Sequence, residues 1–550
     1  MPVELHLDGV AGSAGQGASL FECAEEMQVR IPTSCRKNGK CRECMVEVGE
    51  GMDCLTPRSS EEAHLDGEFR LSCRARICSD SGTIRCRTLR RGELQIAEDG
   101  EAVAAHGEAL DPVVRRDGDE ILIDGERAGA WSGPLHGVAI DLGTTTVVVR
   151  LVDLETGEVR GSQSFENPQR FGGSDVMARI QYDSDHPGRL LQRTLLGYLT
   201  HAIEGFDCDP ASIFEIVAAG NATMRDLFFG LEVRSIGQRP YRSVVEHEFR
   251  AGTRGSTALS VPARKLRLPA HPRARVQGLP LISGHVGADT AACLLAIDLP
   301  AEDRLVALMD IGTNTEFVVG NRHRLFVASC PAGPAFEGGL ISCGMPGLEG
   351  AIEAVRIDED GSISFDVIGG GAPEGICGSG IVALLGELRR TGRMNELGRL
   401  CDESERVTID RERNLHLSEE DISQLAQAKA ANVAGAQIVL QQSGIDPENI
   451  ERFYLAGGFA RHLDIGAARR IGLIPDFPEA RIARIGNAAI EGATLALLSR
   501  SRRRRLEELV RRAIHVELET DEGFFDHFVE GCHFQPSELP SVQGSVPGNL

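Results

Sequence analysis

The sequence predicts a multidomain chain of the α+β and α/β classes. It comprises a small cysteine-rich domain of short strands, an acidic connecting segment, and a large α/β domain built on a duplicated unit. Three observations predict it. Eight of the 15 cysteines fall before residue 90. Residues 93–135 are acidic and rich in Ala and Gly. Beyond them, a strand–turn–strand pattern around Asp141 returns around Asp310, 169 positions later. Internal repetition of this kind outweighs any single motif.

Composition narrows the function classes. A net charge of −23 repels phosphate backbones, and a 5% aromatic content with a single Trp131 leaves few platforms for stacking bases. No nucleic acid partner is expected. The one basic cluster, Arg500-Ser-Arg-Arg-Arg-Arg505, runs on into Leu506, Leu509 and Val510 and reads as a solvated helix face. No apolar run approaches the roughly 18–20 residues that span a bilayer, so no membrane partner is expected. Met1–Leu7 lacks a basic-then-apolar leader, and a cytoplasmic location is the expectation. In that compartment clustered cysteines favour metal over disulfides.

Residues 1–92 hold the cluster. Cys35 is followed after five residues by Cys41, after two more by Cys44, and after a further 28 by Cys73. A [2Fe–2S] centre needs two thiolates per iron and a backbone wrapped closely around the sulfides. The loop Cys35-Arg-Lys-Asn-Gly-Lys-Cys41 suits this: Gly39 permits a tight turn, and Arg36, Lys37 and Lys40 offset negative charge. Structural zinc usually takes two short Cys knuckles, and only one is present. These residues resemble a β-grasp [2Fe–2S] ferredoxin of the x5-x2 class. The resemblance implies an early helix over Leu20–Glu26, a strand leaving the cluster over Met45–Val48, and Cys73 as fourth ligand. Cys54, Cys78 and Cys86 remain available for that last place.

Residues 93–135 read as a linker with one hairpin around Glu120–Ala128. A flexible chain of this length has an r.m.s. span of roughly 30–40 Å, enough for the ferredoxin to swing as a carrier.

The third part, 136–535, precedes a short tail at 536–550. No Gly-x4-Gly-Lys-Ser/Thr occurs, so phosphate would be bound by another geometry. Asp141-Leu-Gly-Thr-Thr-Thr146 and Asp310-Ile-Gly-Thr-Asn-Thr315 are hairpin turns that can offer main-chain N–H groups and hydroxyls to phosphate, with Asp holding Mg²⁺ through water. Leu455-Ala-Gly-Gly-Phe-Ala460 ends a strand in a Gly pair that lets a base or ribose approach. Gly284–Asp289 and Gly486–Gly492 read as helix starts with small residues, suited to close interdomain contact. In this order the five motifs resemble the acetate kinase, sugar kinase, chaperone and actin superfamily. The resemblance implies a duplicated actin-like ATPase fold that binds ATP with Mg²⁺. It implies nucleotide-binding roles for Asp141, Gly143, Thr144, Thr145, Asp310, Gly312, Thr313, Asn314, Gly457 and Gly458. Asp289 would orient the attacking water.

Four further runs have no role in a generic kinase: Asn167–Asp175, Gly220–Met224, Pro331–Gly338 and Gly375–Ile381. With the N-terminal ferredoxin they resemble the ATP-dependent reductive activators of corrinoid proteins. That resemblance implies one-electron reduction of cob(II)alamin to cob(I)alamin on a corrinoid protein of a methyltransferase system. It also implies an external low-potential electron donor. The extra domain that some members carry after the linker has no room here. Oligomeric state is open, a homodimer included. Cys330 and Cys377 read as packed thiols and His285 as a helix-start or core histidine. Two other readings compete. A small-molecule kinase with an accessory ferredoxin would phosphorylate without a protein acceptor, and a nucleotide-gated scaffold would cycle normally without a cluster.

Overall fold

A computed structural model of the chain describes residues 3–31, 33, 35, 37–40, 43–89, 110–401, 405–458, 460–478 and 481–539. The chain divides into two compact units, Met1–Leu94 with Pro112–Leu279 and Gln95–Asp111 with Pro280–Leu550.

The first unit begins with β1 (Val3–Leu7), β2 (Val10–Ala14), α1 (Leu20–Glu26), β3 (Met45–Glu50), β4 (Phe69–Leu71) and β5 (Thr83–Thr88). The sheet order is β2-β1-β5-β3-β4, with β1 and β5 parallel. Period-2 alternation turns Val3, Leu5 and Leu7 inward, where α1 presents Leu20, Phe21, Cys23 and Ala24. A capping box between Ser19 and Glu22 starts that helix. This is the β-grasp arrangement the sequence predicted, with the helix over the same residues and the strand starting at Met45. A fully buried ion pair, Arg70 Nε to Glu62 Oε1 at 2.9 Å, ties β4 to the preceding loop.

Within the stretch read as a linker, β6 (Val114–Asp117), β7 (Glu120–Ile123) and β8 (Glu126–Ala130) form a three-stranded sheet. Its second hairpin is the one expected around Glu120–Ala128. Asp124 and Gly125 form the turn, both with positive φ, as a two-residue hairpin demands. Residues 93–109 lie outside the described residues.

Next come β9 (His136–Leu142), β10 (Thr146–Asp153), β11 (Val159–Glu166), α2 (Val176–Asp185), α3 (Leu190–Glu204), β12 (Ile213–Gly220) and α4 (Ala222–Phe229). After the short helices α5 (Val244–Arg250) and α6 (Ala263–Leu266), with β13 (Leu259–Pro262) between them, β14 (Arg275–Gly278) completes the sheet. Its order is β11-β10-β9-β12-β14-β13.

The second unit repeats the plan. It contains α7 (Ala288–Ala296), β15 (Val306–Asp310), β16 (Thr315–Gly320) and β17 (Leu325–Cys330). The smaller elements β18 (Ala351–Ile357), β19 (Ile363–Val367) and β20 (Gly375–Ile376) lead into α8 (Gly378–Arg390). The hairpin β21 (Arg406–Asp410) and β22 (Leu415–Ser418) leads into the 25-residue α9 (Glu419–Ser443). Then follow β23 (Arg452–Ala456), α10 (Ile465–Arg470), β24 (Ile482–Gly486), α11 (Ala488–Leu498), α12 (Arg500–Val510), β25 (Ile514–His515) and α13 (Phe524–Gly531). The sheet order is β24-β23-β15-β16-β17-β25. In both units an antiparallel three-strand meander lies beside a parallel strand, β12 next to β9 and β23 next to β15. The duplication predicted from the two Asp turns is thus a duplication of sheet topology.

The two small-residue helix starts meet each other inside the second unit. A Cβ at Gly492 of α11 would lie 1.8 Å from the Ala292 carbonyl oxygen of α7. Gly492→Ala should therefore force the helices apart and cost about 1–3 kcal/mol, read as a lowered melting temperature. An unchanged melting curve would show that the helices separate freely.

The basic cluster is helical, as expected, but only partly solvated. Arg500 pairs with Asp111 at 3.0 Å, and Arg502 is buried beside the apolar Leu506 and Leu509. The partner that draws Arg500 inward is 389 positions away in sequence.

Candidate functional site

The candidate residues fall into three constellations, and each is built by local structure. The first is a nest of thiols. Cys44 immediately precedes β3, and Cys73 lies two residues beyond β4, which pairs with β3. Their sulfurs are 3.2 Å apart, Cys44 donating to Cys73, and both are buried. That bond draws the Cys73 thiol below its usual range, against the cost of burial, and the Gly39 backbone acts in the same direction. Cys35 lies close enough for its charge to act on Cys73. Gly39 has φ +77, and a Cβ there would meet Arg74 Nε at 2.6 Å, so the loop closes only around glycine. Cys41 lies outside the described residues. The other thiols sit elsewhere. Cys54 and Cys78 face backbone oxygens of Ser81 and Asp53, both at 3.9 Å, and burial pushes the Cys86 thiol up to about 12. Paired thiols beside a closely turned glycine loop fit a [2Fe–2S] centre in donor chemistry and in shape.

The second constellation is the turn between β9 and β10. Asp141 and Thr144 are buried, and Gly143 passes so close to the Thr146 carbonyl oxygen that a Cβ would lie 2.4 Å from it. Side chains from two of the unexplained runs hold the turn from behind. Asn167 donates through its backbone to the Thr145 carbonyl at 2.7 Å and through Nδ2 to the Gly143 carbonyl at 2.8 Å. Arg179 of α2 donates to the Thr144 carbonyl at 2.7 Å, and Asn221, the N-cap of α4, donates to Thr144 Oγ1 at 2.9 Å. With its carbonyls bound from behind, the turn is a fixed shape.

The third constellation is the turn between β15 and β16. The β15–β23 pairing sets it against the Gly pair: Ile311 N–H donates to the Ala456 carbonyl at 3.0 Å, and Gly457, with φ +114, would place a Cβ 2.2 Å from the Ile311 oxygen. The next residue, Gly458, is exposed. Thr313 is buried and its hydroxyl donates to Glu337, while Gly312 and Asn314 keep partial exposure. Asp310 accepts from the Cys293 thiol of α7 at 3.3 Å. Asp289, in the first turn of α7, accepts from its neighbour Thr290 N–H at 2.8 Å.

Three carboxyls of this unit are raised, first by burial and then by neighbouring carboxyls. Burial raises Asp289 to about 7 and Asp310 to about 6, with Asp310 adding to the first and Glu337 to the second. Glu316 stands well above its ordinary range through burial and the charges of Asp289 and Asp310. Asp289 and Asp310 retain a small open surface although set deep among protein atoms. Among the described residues no three metal-binding side chains converge tightly enough to hold an ion unaided. An ion here would take further oxygens from phosphate and water, the usual habit of Mg²⁺.

Glu316, Glu337 and Cys293 were not among the residues read from the sequence. Glu316 has a signal there, a charge inside the otherwise apolar strand Thr315–Gly320. Glu337 lies in the Pro331–Gly338 run, noted without a role. Cys330 and Cys377 are packed thiols as expected: a Cβ at Gly435 would lie 2.1 Å from Cys330 Sγ, and Cys377 donates to the Ile352 carbonyl. His285 sits just ahead of α7.

Comparison with known proteins follows the same division. The 2Fe-2S iron-sulfur cluster binding domain matches residues 7–78, the RACo middle region residues 136–302, and the C-terminal domain of RACo, the ASKHA domain, residues 304–543. The corrinoid activation enzyme RamQ of Eubacterium limosum is 32% identical over 431 residues, covering 73% of this chain and 70% of its own. The [Co(II) methylated amine-specific corrinoid protein] reductase of Methanosarcina barkeri is 23% identical over 441 residues, 74% of this chain and 78% of its own. A solved structure of a reductive activator for corrinoid,iron-sulfur protein superposes with a TM-score of 0.70 at 27% identity, covering 97% of this chain and 98% of that one. No helix among the described residues is long and apolar enough to cross a membrane.

Proposed function

The chain belongs to the RACo family of corrinoid activators, and from that premise we propose that it reductively activates a corrinoid protein of a methyltransferase system at the expense of ATP. The observation that carries the reading is the union in one chain of the Cys44–Cys73 thiol nest with two topologically equivalent Asp-Gly-Thr turns. Relatives named for corrinoid activation and corrinoid-protein reduction support it.

Cys35, Cys41, Cys44 and Cys73 are the proposed ligands of a [2Fe–2S] cluster, which when bound takes up and passes on one electron at a time. The electron comes from an external low-potential donor and ends on cobalt of the partner, taking cob(II)alamin to cob(I)alamin. Asp141, Gly143, Thr144 and Thr145 in one unit, and Asp310, Gly312, Thr313 and Asn314 in the other, each offer a carboxylate, main-chain N–H groups and hydroxyls to the phosphates of ATP and its Mg²⁺. Gly457 and Gly458 leave space for the nucleoside. Asp289, with its carboxyl near neutrality, suits a group that orients the attacking water and takes up its proton. The place of action is the cytoplasm.

Stopped-flow spectra test the reading. The reduced protein mixed with a cob(II)alamin protein should yield the cob(I)alamin spectrum with MgATP and far more slowly without it. Equal rates in both arms would remove ATP from the reaction. A phosphorylated small molecule formed with no protein acceptor would replace the reading by a kinase.

A further inference from the structure

The Asn167–Asp175 run is left over once the cluster and the phosphate turns are assigned, yet it touches both. Its first residue grips the 141–146 turn. Asn167 is fully buried, donates to the Gly143 and Thr145 carbonyls, and shares Met224 as a contact with Arg179. Asn167 also caps the short 3-10 turn Pro168–Gly172 by accepting from Gln169 N–H at 2.9 Å. Pro168 fixes the first φ of that turn. Gly172 and Gly173 are packed so tightly that a Cβ at either would lie within 2.7 Å of Leu191 or 2.2 Å of Ala178. The turn therefore has little freedom to deform and moves as one piece.

Its outer residues hold the ferredoxin. Arg170 is clamped to Glu166 by an i,i+4 pair and reaches Glu47 Oε1 on β3 at 3.3 Å. Glu47 is itself buried and also faces Arg87 across the sheet at 3.4 Å. It stands three residues after Cys44. Phe171 meets His64 edge-on with ring centres 6.4 Å apart, and Tyr182, packed on Phe171, donates to the His64 carbonyl at 3.0 Å. Farther along the same seat, Arg193 of α3 donates to the Lys40 carbonyl at 3.1 Å in the cysteine loop. The ferredoxin of this structure is seated on α2, α3 and the 168–172 turn.

We propose that the Asn167–Gly173 turn is a coupling link through which nucleotide at the 141–146 turn sets the seating of the ferredoxin, with Arg170 as the positioning residue that contacts Glu47. The inference rests on the nucleotide reading above. Its physical basis is short: a ligand that shifts the carbonyls of Gly143 and Thr145 carries Asn167 with it. One rigid turn then separates that motion from the strand that leaves the cysteine loop. Coupling of this kind is reciprocal, so the seated ferredoxin also changes the affinity of the nucleotide by the same factor.

Hydrogen–deuterium exchange on the anaerobic, cluster-loaded full chain tests it, with and without MgATP, alongside calorimetry of nucleotide binding. In the wild type, amides of Met45–Val48 and of residues 62–71 should change their exchange rates about fivefold or more when nucleotide binds. In Arg170→Ala that response should disappear while nucleotide is still bound, its affinity altered by no more than the same factor. Arg170→Lys should restore part of the response, which a merely structural loss of packing would not. Glu47→Gln probes the contact from the other side and serves if Arg170→Ala is poorly folded. Nucleotide binding with no change in ferredoxin exchange, or an undiminished response in Arg170→Ala and Glu47→Gln, overturns the link and leaves the proposed function standing. Absence of nucleotide binding overturns both.

Discussion

Cys73→Ser, purified without air, should lose its red-brown colour and fall far below about two irons and two sulfides per chain, while Cys54→Ser, Cys78→Ser and Cys86→Ser keep both. The spacing leaves four thiols in competition for the last ligand, and the geometry separates them. Cys73 is the one 3.2 Å from Cys44, and that contact favours the thiolate, the form that binds metal. Cys86 is held protonated by burial at about 12, and Cys54 and Cys78 are turned toward backbone oxygens of the 51–54 and 79–82 corners. The loss should be nearly complete, because three thiolates leave one iron a ligand short. Iron and sulfide analysis with visible and electron paramagnetic resonance spectra reads the result. A full cluster in Cys73→Ser, with loss in one of the other three variants, would move the ligand there.

The parts of this molecule that were legible in its sequence are those with short-range causes. The cysteine loop is legible because its closely spaced thiols and its glycine turn act within ten residues. The two Asp turns are legible because each joins adjacent antiparallel strands, with Asp141 next to last in β9 and Asp310 last in β15. The turn Asp124-Gly125 is legible because its backbone angles need those residue types. What stayed hidden depends on distant pairing. Glu316 acquires its surroundings only when β16 folds back on β15 and brings it opposite Asp310. Glu337 reaches Thr313 from 24 positions away. Lys40, Glu47 and His64 look like ordinary surface residues of a small domain, and their contacts with Arg193, Arg170, Phe171 and Tyr182 arise between residues more than 100 positions apart. The run Asn167–Asp175 stood out by its composition, but its meaning lies in carbonyls of a turn more than 20 residues upstream.

Asp310→Asn should abolish tight MgATP binding and, in the nucleotide-free protein, raise thermal stability. The two effects have one cause. The second unit holds Asp289, Asp310 and Glu316 where burial above all opposes their ionisation, with Asp310 adding to the effect on Asp289, Glu337 to that on Asp310, and both Asp289 and Asp310 to that on Glu316. The folded chain thus holds protons that the unfolded chain has released between about pH 4 and pH 7. Raised carboxyl values stabilise the fold fully below the ordinary carboxylate range. That contribution is lost as pH rises through about 6 for Asp310 and about 7 for Asp289. At pH 8 the charges oppose one another, a state that the proposed Mg²⁺ would relieve. Asparagine removes one charge and keeps an oxygen to accept from Cys293, so the melting temperature at pH 8 should rise by roughly 2–4 °C per kcal/mol of repulsion relieved. The gain should shrink at pH 5, where Asp310 of the wild type is already largely protonated. Affinity for MgATP should fall about a hundredfold, near 3 kcal/mol, because the carboxylate proposed to face the metal and phosphates is gone. The spectrum of the cluster should not change, since its proposed ligands lie in the other unit. Melting curves at the two pH values and calorimetry with MgATP decide the matter. A variant less stable at pH 8 would mean that the cluster of acids does not strain the apo fold, and wild-type affinity would take Asp310 out of the nucleotide site.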